Sequence, residues 1–570
     1  MSPVSANEGN CNIYGILFPH RFDLLRFLFG RYTIPLGKQL PRFDLVMRPI
    51  DYFLRGVRAA PSKPFLMGLD GKHVSFEEAS AKIDAITKGI YAAGFKAGDS
   101  VAVYSPNSVG AVLCVFAVMR AGGAWVPVNV RNSAATNGEY MTYVKTKWLF
   151  FSADLDDESL ALVSNLPDLE GTVCIERDRG RHPSLSEFCE RSGSVEVPDW
   201  NDPYGVPDMV FSRWPTGGTT GPSKGVEMTN RNIVTMFELG LEHYVGGNEE
   251  DIVHLAVAPI THAAGLIIGI FAAVGGATLV HPRFDPGEVL RAIERDKVTH
   301  IFLPPTAYYA LLDHPDVTST DLSSLRQILL AAAPVSPDKF QRGVEVFGPV
   351  IAQCYGQAEV PMLVSMFSTE TVAAAAAGSH PERLRSCGKV TSSTLVGILD
   401  EKGNLLARGE RGEICCRGPL VTPGYFEKPD ATKEARQFGW HHTGDIGYLD
   451  EDDFLYIVDR KKDMIITGGF NVFATEVEAP ILALEEVLEC AVVGIPDERW
   501  GESIAAIVVL RDGYILSDAE LRERVRDKLG GVKTPKKIEF WDEIPKTAVG
   551  KTDKKVIRQR FWKDSERLVN

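Results

Sequence analysis

The chain predicts an α/β protein, with a large N-terminal domain of layered α/β subdomains plus a β-rich one, and a small mobile α+β domain at the C-terminus. Three observations carry that expectation. Residues 50 to about 200 alternate helical and strand periodicity at the spacing of parallel strand–helix–strand units. From about residue 385 the pattern shortens to brief strands and turns. Five consecutive charges, Asp459-Arg460-Lys461-Lys462-Asp463, then set off a terminal segment with helix and strand patterns of its own.

Taken in order, residues 76–93 have helical spacing and stop at Gly94. Residues 100–104 read as a strand, Pro106-Asn107 leads into an apolar helix ending at Gly122-Gly123, and 124–128 is the next strand. The rhythm resumes with a strand at 253–258, a helix at 286–296 and a strand at 299–303 closed by Pro304-Pro305. Buried strands follow at 325–330 and 350–355, and the alanine run 373–377 reads as part of a surface helix. Residues 412–418 belong to the β-rich part. Beyond the charged run, 476–484, 490–494, 505–510 and 521–529 form a compact α+β unit. The charges themselves are expected outside any core. The expected boundaries are an N-terminal extension at 1–49, the large domain at 50–458, a hinge at 459–462 and the small domain at 463–570.

At 570 residues with 45% hydrophobic and 24% charged residues, this is the composition of an ordinary globular protein with room for a large core. A net charge of −14 argues against a nucleic-acid partner. The nine cysteines include no CxxC pair and several sit in apolar runs, which predicts buried free thiols in a reducing compartment. No apolar run is long enough to span a membrane and the first residues lack a signal-peptide layout, so a cytoplasmic protein is expected. Residues 14–32 mix Phe and Leu with Arg21, Arg26 and Arg31. An extension packed on the domain behind it is the first expectation, and weak peripheral membrane contact the second.

The richest stretch is Thr216-Gly217-Gly218-Thr219-Thr220-Gly221-Pro222-Ser223-Lys224-Gly225. Four glycines, four hydroxyls and one lysine make a loop that lets an anion touch the backbone, and a polyphosphate is the natural guest. The order is not that of a Walker A loop, since Lys224 lies between Ser223 and Gly225. Four later segments join it. Tyr355-Gly356-Gln357-Ala358-Glu359 follows a buried strand, where ligands collect in open α/β sheets. His442-Thr443-Gly444-Asp445 is expected to place a carboxylate on a tight turn. Arg460 supplies a guanidinium at the hinge, and Lys551 lies on a Gly-containing loop of the small domain.

With all five segments in this order, residues 50–560 resemble the AMP-forming acyl-CoA synthetases of the adenylate-forming superfamily. The resemblance implies a fold with a rotating C-terminal domain, and ATP, Mg²⁺ and coenzyme A as co-reactants. It implies that Thr216, Gly217, Gly218, Thr219, Thr220, Gly221 and Lys224 hold the β- and γ-phosphates, and that Glu359 is the Mg²⁺-associated carboxylate. Tyr355, with Gly356, Gln357 and Ala358, would lie on one face of the adenine, and Ala332, Ala333 and Pro334 on the other. Asp445 would bind the ribose hydroxyls with Arg460 assisting, beside Ile457. Lys551 would be the catalytic lysine bridging the carboxylate and the α-phosphate, and Lys462 the pivot of the small domain. Gly468 and Gly469 would line the pantetheine tunnel, and His262 would stand at the edge of the carboxylate pocket. Three departures are visible: Ala358 stands where the family usually has Thr, Ala331 and Ala332 replace glycines, and the loop proline is displaced by one place.

The function this implies is ATP- and Mg²⁺-dependent ligation of a carboxylic acid to coenzyme A through an acyl-adenylate. The apolar runs 263–273 and 360–364 point to a medium or long fatty, aromatic or alicyclic acid. One alternative is transfer to a carrier-protein phosphopantetheine, and another is a non-catalytic nucleotide or lipid binder.

Overall fold

The computed structural model describes residues 48–190, 193, 195–198, 206–216, 223–246, 250–468, 470–497, 499–547 and 552–562. The N-terminal segment with its expected membrane contact, and Gly217, Gly218, Thr219, Thr220, Gly221, Gly469 and Lys551, lie outside them.

Two large sheets form the first layers. In the seven-stranded sheet, Val210–Thr216, Ala124–Val128, Ser100–Tyr104, Thr146–Phe151 and Gly171–Cys174 run parallel in that spatial order. Lys224–Thr229 extends it antiparallel, joined to Val210–Thr216 across the glycine-rich segment. The nine-stranded sheet has a parallel core of Pro64–Gly68, Ala277–Val280, Val253–Ala256, His300–Leu303, Gln327–Leu330 and Ile351–Gln357.

Between the layers lies helix Val109–Ala121, apolar on every side and buried from Ala111 to Ala121 except at Arg120. A helix without a polar face belongs between sheets. Ser108 caps its first turn by accepting from the Ala111 amide, and Gly122, at φ +71°, ends it. Phe116 of this helix meets Phe53 and Phe65 edge-on, each at 5.4 Å between ring centroids. One continuous apolar cluster runs from these rings to Tyr355, Val360 and Leu363 beside the candidate site.

Leu395–Leu399, Gly412–Arg417, His441–Leu449 and Leu455–Arg460 make the four-stranded antiparallel sheet of the β-rich part. The terminal unit is a five-stranded sheet built on the long pair Val487–Asp497 and Gly501–Leu510. Helices Ala474–Leu482 and Asp518–Leu529 cover one face and Lys554–Phe561 the other.

Two local expectations are corrected. His442 to Asp445 form no tight turn; they lie within strand His441–Leu449, bent by Gly444 at φ +73° and a register slip against Gly412–Arg417. The charged run is not wholly outside the core, because strand Leu455–Arg460 carries Asp459 inside, 4% exposed. The alanine-rich helix Thr369–Ala376 lies at the surface as expected, with only Val372 and Ala375 on its buried face. The described cysteines are free thiols, all buried except the half-buried Cys189 and Cys490. Among the described residues no helix is long and apolar enough to cross a membrane.

Candidate active site

Parallel strands deliver their last residues to one edge of a sheet, and the candidate residues gather at such an edge. Strand Ile351–Gln357 carries Tyr355, Gly356 and Gln357 within it. At Gly356 its pairing with Val360–Phe367 slips, and a Cβ there would lie 2.6 Å from the Met362 backbone, so no larger residue fits. The Tyr355 hydroxyl donates to Asp445 Oδ2 at 2.6 Å, and Gln357 Nε2 donates to the same oxygen at 3.3 Å and to the Thr443 carbonyl at 3.1 Å. Arg460 Nε lies 3.1 Å from Asp445 Oδ1. The Asp445 carboxylate is thus buried and held from two sheets. Burial, then the Asp445 charge, push the Tyr355 phenol well above its ordinary value. The same carboxylate is the main reason the Arg460 guanidinium is held above its own. Ile457 pairs with Gly447 and packs on the core beneath.

The neighbouring strand, Gln327–Leu330, leads into Ala331, and the next residue, Ala332, takes φ +76°. That left-handed conformation suits glycine and costs an alanine about 1–2 kcal/mol. The loss of a glycine at position 332 therefore shows as backbone strain. Ala332, Ala333 and Pro334 are exposed at the strand end.

A second group lies around the glycine-rich segment. Thr216 and Lys224 face each other across the strand pair, with Thr216 Oγ1 donating to the Lys224 carbonyl at 3.4 Å. Lys224 Nζ stands 4.9 Å from the Tyr425 ring centroid. The Tyr425 hydroxyl donates to Glu359 Oε1 at 2.8 Å, and burial, then Glu359, raise the Tyr425 phenol. Sequence reasoning missed Tyr425. Its signal was the Gly424-Tyr425 dipeptide, which pairs with Glu227 and Val226 and so reaches the loop's own strand.

His262 immediately precedes helix Ala263–Ala272, its ring 5.8 Å from that of Trp214, two residues before Thr216. Trp214 was also missed. The turn after His262 is tight: a Cβ on Gly265 would lie 1.9 Å from the Ile260 carbonyl oxygen.

In the charged run, Lys461–Asp463 forms a short 3₁₀ turn. Lys462 is half-buried, and burial, then Arg460, lower its ammonium. Lys461 Nζ pairs with Glu413 Oε2 at 3.0 Å, and His442 Nδ1 lies 3.0 Å from the same oxygen. Arg411 and Lys533 share Glu476. Asp459 accepts from the Arg460 and Thr475 amides, and Lys554, paired with Glu478 at 2.8 Å, lies near. Gly468, at φ +57°, lies under Trp500, whose ring a Cβ would approach to 2.6 Å. The structure therefore joins Tyr355, Gln357, Asp445 and Arg460 by direct contacts and links Lys224 to Glu359 through Tyr425, while His262 stands beside Trp214 and Gly468 under Trp500.

The model of the AMP-binding enzyme family matches residues 53–426, and that of the AMP-binding enzyme C-terminal domain matches 476–551. The chain belongs to the AMP-binding enzyme family. This family uses ATP, Mg²⁺ and coenzyme A. Among its relatives is the medium/long-chain-fatty-acid–CoA ligase FadD8 of Mycobacterium tuberculosis, 42% identical over 64% of this chain and 63% of that protein. The chain therefore aligns with less than two thirds of the length of that relative. Another, from the same organism, is the 3-[(3aS,4S,7aS)-7a-methyl-1,5-dioxo-octahydro-1H-inden-4-yl]propanoyl:CoA ligase, 33% identical over 89% of this chain and 97% of that one. In three dimensions the chain is similar to ATP-bound MatB from Rhodopseudomonas palustris, at TM-score 0.80 and 27% identity, covering 91% and 99% of the two chains.

Proposed function

We propose that the chain activates an apolar carboxylic acid with ATP and joins it to coenzyme A. The observation that carries this reading is the buried Asp445 carboxylate, set between the Tyr355 hydroxyl and the Arg460 guanidinium at the end of a parallel sheet. A ribose diol offers two hydroxyl donors, and a fixed anionic acceptor at a strand end matches them. Tyr355 and the exposed 332–334 segment then flank the position of the base.

In the first step a carboxylate oxygen of the acid attacks the α-phosphorus of ATP, the P–O bond to the β-phosphate breaks, and pyrophosphate leaves. An anion meets a polyanion, so the protein's task is to neutralise charge and align the reactants. Lys224 and the glycine-rich segment would take the β- and γ-phosphates, and Lys551 would bridge the acid and the α-phosphate. Glu359 offers a hard oxygen ligand within reach of Tyr425 and Lys224, a donor suited to Mg²⁺, which neutralises phosphate charge when bound. In the second step the coenzyme A sulfur attacks the acyl carbon, AMP leaves, and the thiol proton passes to solvent. Lys462 would be the pivot between the two steps, and Gly468 and Gly469 would leave room for the pantetheine arm.

The apolar cluster containing Ala264, Ile267, Ile268 and Leu363 supports a fatty or alicyclic acid, classes that the names of the two mycobacterial relatives also carry. Pyrophosphate release with ATP and Mg²⁺ across fatty, aromatic and alicyclic acids, with and without coenzyme A, tests the reading. Acid-dependent release with an acyl-CoA product is expected. Acyl-AMP accumulating without thioester would move the acceptor to a carrier protein, and no release with any acid would overturn the proposal.

A further inference from the structure

Strand His441–Leu449 carries two adjacent histidines and sends them to different partners. His442 meets Glu413, whereas His441 is 6% exposed and turns its Nε2 to Gln357 Oε1 at 3.3 Å. Gln357 in turn reaches the Thr443 carbonyl at 3.1 Å and Asp445 Oδ2 at 3.3 Å. His441, Gln357 and Asp445 therefore stand in a row that ends on the carboxylate proposed for the ribose.

The direction of each bond follows from the chemistry of the groups. A carbonyl and a carboxylate only accept, so the Gln357 amide points its nitrogen at Thr443 and Asp445 and its oxygen at His441. His441 must then donate from Nε2. Burial, then the Arg436 charge, push its imidazole down to about 4, so at neutral pH it carries one ring proton. The Gln357 oxygen fixes that proton on Nε2.

The other end of the row shows what the lock is for. The Tyr355 hydroxyl and the Gln357 amide both donate to Asp445 Oδ2, while Oδ1 has Arg460, whose side chain is 48% exposed. The two donors on Oδ2 thus set the plane in which the carboxylate meets a ribose. Without His441 the Gln357 oxygen would lose its donor, and an unpaired polar atom in a buried setting costs enough to turn the amide away from Asp445.

We propose that His441 is a positioning residue of the nucleotide site, which locks the Gln357 amide and through it aims the Asp445 carboxylate at the ribose hydroxyls. The inference rests on the ribose reading of Asp445 given above. It also sets a length requirement at position 441. A glutamine carries its Nε2 about as far from Cβ as the imidazole does, whereas the asparagine nitrogen stops one bond short.

Calorimetry on the full-length protein at pH 7.5, with AMP, 2′-deoxyAMP and 3′-deoxyAMP as ligands, supplies the test. A Kd refers to folded molecules alone, so a variant that folds poorly lowers the titrated fraction and leaves the ratio of Kd values readable. The wild type is expected to prefer AMP to at least one deoxy form by about tenfold or more, the scale of a hydrogen bond to a buried charge. In His441→Leu that preference falls to about threefold or less, in His441→Gln it returns, and in His441→Asn it does not. Gln357→Leu loses as much as His441→Leu, and the double variant loses no more than either. A preference that survives in His441→Leu, equal recovery by glutamine and asparagine, or losses that multiply in the double variant overturn the inference and leave the Asp445 reading standing. A wild type that binds AMP and both deoxy forms equally, or binds none of them, overturns both.

Discussion

Asp459→Asn isolates the one buried carboxylate of strand Leu455–Arg460. Burial raises its pKa from the ordinary 3.8 to about 6, with Lys554 pulling the other way. The folded state therefore holds this proton more tightly than the unfolded chain. The stability it contributes is complete below pH 3.8, declines as the pH rises from 3.8 to about 6, and is lost above that. At 1.36 kcal/mol per pH unit the difference amounts to about 3 kcal/mol at neutral pH. Asparagine keeps an oxygen for the Thr475 amide and carries no charge. Thermal unfolding of both proteins from pH 4 to 8 at one ionic strength should give matching Tm values near pH 4. By pH 7.5 the variant should lie about 2–3 °C higher, because a chain of 570 residues unfolds with an entropy of roughly 1.2 kcal/mol per kelvin. If it is less stable at pH 7.5, or if the two pH profiles run parallel, the Lys554 attraction outweighs burial and the reasoning is wrong.

Ala332→Gly relieves about 1–2 kcal/mol of left-handed strain against about 0.5–1 kcal/mol of added chain entropy, so a higher Tm and tighter AMP binding by calorimetry are expected. Tyr425→Phe removes the donor to Glu359 and keeps the ring near Lys224; kcat/KM for ATP should fall roughly five- to tenfold at limiting Mg²⁺ while KM for the acid holds. Lys551→Ala should abolish acyl-adenylate formation far more than thioester formation from pre-made adenylate, measured as separate half-reactions. Gly469→Trp should do the reverse, and equal losses in both steps would contradict the two roles.

Part of the parallel core was legible, as at Ser100–Tyr104 and His300–Leu303, short buried runs with a proline close behind, whereas Pro64–Gly68, Thr146–Phe151, Gly171–Cys174 and Ala277–Val280 went unread. Helix Pro286–Asp296 was read to the residue, since Asp285 caps it and a proline opens it. The irregular sites were not. Gly444 looks like a turn residue, yet it bends a strand, because a bulge and a turn both call for a positive φ. Asp459 looks solvated, yet it is inside, because amides and a lysine distant in sequence meet it there. Tyr425 acts through contacts to Lys224 and Glu359, about two hundred and about seventy residues away, which no local pattern announces.

Arg460 ends the strand from which the terminal unit hangs, and its guanidinium sits on the carboxylate proposed for the ribose. If nucleotide and arginine compete for the same oxygens, the two equilibria are linked and the linkage is reciprocal. Whatever factor the proposed swing of the small domain imposes on nucleotide affinity, the nucleotide imposes on that swing. Release of AMP and return of the domain would then be a single thermodynamic event, timed by one ion pair.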